Sequence, residues 1–130
     1  MEVTYVDSET VACYSFRHQR ATLATGQLQA ERRCSINHEW WHHKRGPFPE
    51  EFRDREEKII ELLSARELIT IYDLGEAMAW TSDMGEVADE LWVDLPCLWA
   101  RLEGLTDDER RYLDQRLYKA DDDGSVGGAA

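Results

Sequence analysis

Residues 29–46 read QAERRCSINHEWWHHKRG, and within them His38, Glu39, Trp40, Trp41 and His42 form the HExxH pattern HEWWH. On a helix, residues four apart lie one turn apart on one face, so both imidazoles can reach the same cation while Glu39 lies beside its open side. That helix decides the reading of the fold. It is expected from Gln27 to about Lys44, with Gly26 before it, Gly46 and Pro47 closing it, and Ala30, Cys34 and Trp41 at helical spacing. A zinc ion with three protein ligands keeps a fourth position for water, lowers that water's pKa towards ~7 and leaves a carboxylate to take its proton. With this content of His and Glu, an HExxH would arise by chance in roughly one such chain in a hundred, which makes the match informative.

His38 and His42 are thus the expected metal ligands and Glu39 the expected general base. His43 points ~100° round the helix from His42, which favours an exposed or supporting role over ligation. His18, in the basic turn Arg17–Arg20, is expected in solvent. A third ligand must come from elsewhere. Pro49, Glu50 and Glu51 open a second helix, expected to reach about Leu68, and it offers Glu56, Glu57 and Glu61. Glu57 and Glu61 share a half-apolar stripe with Ile60, Ser64 and Leu68 that could pack on the first helix. Glu57 is the expected ligand; Glu61, one turn on, either receives a hydrogen bond from the far nitrogen of a ligating imidazole or ligates in its place.

Towards the N-terminus, Val3–Val6, Val11–Phe16 and Ala21–Ala24 are rich in Val, Tyr, Thr and Phe and read as strands. Their short breaks suggest hairpins, hence a small antiparallel meander. Towards the C-terminus, Ile71–Trp80, Gly85–Trp92, Leu95–Leu105 and Asp107–Tyr118 follow, the last with Thr106 as N-cap. The expected fold is α+β, a small antiparallel sheet with about five helices and a zincin-like active-site helix. Residues 1–120 are expected to form a single metallopeptidase-like domain, and the acidic, then Gly- and Ala-rich 121–130 a disordered tail.

Cys13, Cys34 and Cys97 are odd in number, widely spaced and without a CxxC pair, which suggests free thiols in a reducing compartment. No long apolar run occurs, and Met1–Thr10 is acidic where a signal peptide is basic, so a soluble cytoplasmic protein with no membrane partner is expected. The net charge of −12 argues against nucleic acid and for a basic peptide or protein surface as partner.

The Gln29–Gly46 segment resembles the zinc helix of the ImmA/IrrE family of metallopeptidases, where AERR, a small apolar stretch and HExxH follow one another. The likeness continues through Glu57, Glu61 and Ala65–Ile69 and on to EVADELWVDLPCLWARL at 86–102, about three quarters of the chain. The resemblance implies a zinc-dependent protease that cleaves a helix-turn-helix repressor of a phage or other mobile element. It carries the ligand role to His38, His42 and Glu57 and the base role to Glu39.

The rival reading is a protein-binding module with little or no turnover. Met84–Leu105 has the look of a helix-turn-helix, but Asp73–Leu105 holds eight acids against Arg101 alone, and so acidic a helix would repel phosphate. Trp80, Trp92 and Trp99 in that region read as core or as a protein-contact patch. A zinc deaminase fails on spacing: Ala100 and Trp40 stand where that chemistry needs a second Cys and a Glu.

Overall fold

The computed structural model describes residues 1–6, 12–24 and 28–122. The class is α+β: a three-stranded sheet and, among the described residues, six α-helices with one 3-10 turn. The chain divides into two compact units, 1–64 and 65–130. Among the described residues no helix is long and apolar enough to cross a membrane.

In the first unit, β1 (Glu2–Val6), β2 (Ala12–Ser15) and β3 (Arg20–Ala24) pair in the order β1-β3-β2. Thr22 of the central strand lies opposite Thr4 in a parallel pair and opposite Cys13 in an antiparallel one. The sheet is therefore mixed, which corrects the antiparallel meander. Reading each break as a hairpin pairs only consecutive strands, whereas residues 7–19 together supply the length that a parallel return needs. Alternation along β3 puts Ala21 and Leu23 on one buried face, on which α1 (Gln29–Arg45) packs. Helix α1 ends at Gly46, whose φ of 86° suits a residue without Cβ.

Pro49 opens a 3-10 turn, Glu50–Phe52, that leads into α2 (Arg53–Leu68). Side chains then tie α2 to α1 in antiparallel register. Arg45 near the end of α1 forks onto Glu56 near the start of α2 at 2.6 and 2.8 Å, and Asn37, two turns back, accepts from Ser64 at 2.5 Å. This register sets what faces the histidines.

The second unit is helical among its described residues: α3 (Ile71–Trp80), α4 (Met84–Leu91), α5 (Leu95–Glu103) and α6 (Asp107–Asp122). Each start is capped by a side chain accepting from a backbone N–H: Thr70 from Asp73, Asp83 from Glu86, Asp94 from Cys97, and Thr106 from Glu109. Glu109 returns the bond to the Thr106 N–H, completing a capping box. Caps of this kind stabilise a helix by about 1 kcal/mol each.

Helix α3 packs on α4 and α6, and α4 on α5, around Leu74, Val87, Val93, Leu98 and Leu113. Gly75 lets α6 come close, since a Cβ there would stand 3.0 Å from the Tyr112 ring. Arg101 is buried in this core, 2% exposed. Trp80, Trp92 and Trp99 are all exposed, so none of them is core. The count of six helices exceeds the five expected. Helix α6 runs to Asp122, beyond the expected end at Tyr118, and the rest of the tail, 123–130, lies outside the described residues.

Candidate metal centre

The antiparallel register of α1 and α2 brings Glu57 opposite His38 and His42. Its two carboxylate oxygens divide between them: Oε2 lies 2.9 Å from His38 Nε2 and Oε1 lies 2.8 Å from His42 Nε2. One donor atom from each of the three residues lies within 4.8 Å of the others. That clustering brings two imidazole nitrogens and a carboxylate close enough for one ion to take a donor atom from each. The donor set, two imidazoles and a carboxylate, is one that catalytic zinc uses.

The imidazoles face a pocket of about 300 Å³. Its walls come from β2 and the residues after it (Cys13, Tyr14, Phe16), from α1 (His38, Glu39, His42), from Phe48 and from α2 (Arg53, Glu57). Phe16 meets the edges of both His42 and Phe48, and Phe48 stacks on His42. These rings take the place of water around His42 and push its imidazolium pKa below the ordinary value, which Glu57 partly opposes. Neutral imidazole is the form that binds a metal.

Glu39 lines the same pocket and is 4% exposed. Its Oε2 has no hydrogen-bond partner among the described residues. Burial first, and the charge of Glu57 second, raise its carboxyl pKa to about 7. A buried, unpartnered carboxylate oxygen costs stability and calls for a reason. An ion beside it would supply one.

The two tryptophans inside HEWWH stay out of the pocket lining. Trp40 is exposed and stacks on His43, and Lys44 lies over the ring of Trp41. His43 is half-buried and hydrogen bonds through Nδ1 to the Tyr14 hydroxyl. Sequence reading gave no role to Tyr14. It stands 29 positions from His43, and only the β2–β3 pairing brings it to the wall of the pocket. His18 is exposed in the turn after β2.

Glu61 is exposed on α2 and does not line the pocket. At 100° per residue, Glu57 lies roughly 40° from the buried line through Ile60 and Ser64, and Glu61 roughly 80° on the same side. Glu57→Ala should therefore weaken zinc binding well beyond the 10- to 100-fold of a lost supporting contact, and Glu61→Ala should change it by less than about 3-fold. A chelator-competition titration that ranked them the other way would transfer the ligand role to Glu61.

No known family model matches this chain, and neither does any curated protein or solved structure.

Proposed function

We propose that the chain is a zinc-dependent metalloendopeptidase, with α1 as a zincin-like active-site helix. The observation that carries this reading is the Glu57 carboxylate shared between His38 Nε2 and His42 Nε2, beside the buried and unpartnered Glu39. His38, His42 and Glu57 would hold the ion; when bound, zinc supplies a Lewis acid that acidifies water and polarises a carbonyl. Glu39 takes a proton from the attacking water and delivers it to the leaving amine. Burial and the Glu57 charge raise the pKa of this carboxyl in the metal-free chain, and a dication held by the three ligands would favour its ionised, proton-accepting form. With His43 Nδ1–H donating to it, the Tyr14 hydroxyl keeps its own hydrogen to donate to charge developing on the carbonyl oxygen.

The substrate class follows from the resemblance to the ImmA/IrrE family and from charge. A protein of net charge −12 attracts a basic DNA-binding repressor of the helix-turn-helix type and repels DNA itself. Such a repressor of a phage or mobile element, met in the cytoplasm, is the proposed target.

The purified protein is expected to hold about one zinc per chain, and the His38→Ala, His42→Ala double variant less than about a tenth of that. Metal analysis of the two proteins decides whether the centre exists. Incubation with a repressor encoded nearby, with and without chelator, tests turnover. Cleavage only in the metal-loaded sample supports the protease, and an intact repressor under all metal conditions leaves the binding module.

A further inference from the structure

The second unit exposes three large apolar side chains within eight residues, Trp92, Leu95 and Trp99. Trp92, at the end of α4, is 64% exposed; Leu95 and Trp99, at i and i+4 on α5, are 42% and 52% exposed, with Pro96 also exposed between them. Trp92 closes α4 in the left-handed conformation, with φ of 59° and ψ of 41°. That position favours glycine, and a bulky aromatic residue there is strained. Strained, exposed aromatic side chains are rare where folding alone decides the residue, and they concentrate at binding sites.

Charge identifies what would cover these side chains. From Asp83 to Glu103 the chain holds six acids, Asp83, Glu86, Asp89, Glu90, Asp94 and Glu103, and its one cation, Arg101, is buried. A second copy of this chain would set acid against acid, and duplex DNA would be repelled. Helical as its described residues are, the unit shows no strand edge to which an extended peptide could add. Apolar side chains one turn apart on α5 form a ridge that fits the groove of another helix. Tryptophan faces also attract Lys and Arg.

We propose that the Trp92, Leu95, Trp99 ridge docks a cationic amphipathic helix of a partner protein, its apolar stripe on the three side chains and its Lys and Arg residues towards the flanking acids. This docking does not depend on the hydrolytic reading of the metal centre.

The test uses the full chain and a fluorescently labelled 18-residue helix built from Leu and Lys with one apolar face, followed by anisotropy. A peptide of the same composition with its Leu residues scattered serves as the control for charge alone. The amphipathic peptide should bind at least about tenfold more tightly than the scattered one, and added salt should weaken it. Leu95→Ser with Trp99→Ser should erase that preference.

Trp92→Gly provides a variant in which stability and binding separate. Removing the strained side chain should hold or raise the thermal midpoint, by up to about 4 °C, while weakening the amphipathic peptide on the order of tenfold. A purely structural role for Trp92 predicts a lower midpoint and unchanged binding. Equal binding of the two peptides, or full binding by the Leu95, Trp99 variant, would overturn the proposal. Zinc content measured in the same samples keeps this result apart from the fate of the metal centre.

Discussion

Glu39→Gln should retain zinc and the fold while losing repressor cleavage by about 100- to 10,000-fold, the range that a positioned general base contributes. Glutamine preserves the shape of a side chain that is almost wholly buried in the pocket wall, so neither His38 nor His42 need move. What is lost is the ability to accept a proton. Cleavage rate and zinc content measured on the same preparation separate three outcomes. Zinc kept and cleavage lost identifies Glu39 as the base, zinc lost makes it a ligand, and cleavage kept removes it from the chemistry.

Arg101→Ala should lower the unfolding free energy by about 3–5 kcal/mol, the cost of removing one partner from a buried ion pair. The guanidinium donates through Nε to the Ile69 carbonyl at 2.8 Å and through Nη2 to Glu109 at 2.5 Å. Glu109 also accepts from Arg66 at 2.8 Å and from the Thr106 N–H at 3.0 Å. Truncation would take the Arg101 bonds from the Ile69 carbonyl and from the half-buried Glu109 carboxylate, and leave a cavity as long as the arginine stem. Arg101→Met, which fills most of that space, should cost less. Urea unfolding of both variants measures the difference, and equal stability of Arg101→Ala and the wild type would refute the assignment.

The same cluster sets an acid limit. The Arg101 hydrogen bond, followed by those from Arg66 and the Thr106 N–H, holds the Glu109 carboxyl well below the usual carboxylate range, although partial burial works the other way. Its stabilising contribution is complete above the ordinary carboxylate pKa near ~4.3 and is lost as pH falls below it, because the unfolded chain takes up the proton first. Glu109→Gln should be less stable at neutral pH and show a shallower loss between about pH 5 and 2.

The helices of the second unit were legible in the sequence because their signals are local. Thr70, Asp83, Asp94 and Thr106 each stand one residue before a helix, and Pro96 falls in a first turn, where its missing N–H costs nothing. The spacing of His38, Glu39 and His42 is equally local. The order of the sheet was not legible, since the pairing of β1 with β3 skips the strand between them. Tyr14 was missed for the same reason, because no period links it to His43. Arg101 was read only as the lone cation of an acidic stretch, and nothing in its neighbours announces that it is buried. Glu57 and Glu61 differ only in angle around α2, which the stripe of apolar residues resolves once Ile60 and Ser64 are known to face inward.

Helix α1 turns Cys34, Glu39 and His42 towards the interior, where most helices place leucine. A helix so built is held in place against its own solvation preference, and in the metal-free chain its neighbours must bear the cost of an unpartnered carboxylate. With Glu39 as the proposed general base, stability and chemistry pull in opposite directions at position 39. A library of this chain sorted for heat resistance in chelator would enrich Leu or Met there, and the survivors would be the variants least able to move a proton. Robustness selected in that way would erase the proposed hydrolysis, so directed evolution of this scaffold has to be run with metal present and with turnover as the criterion.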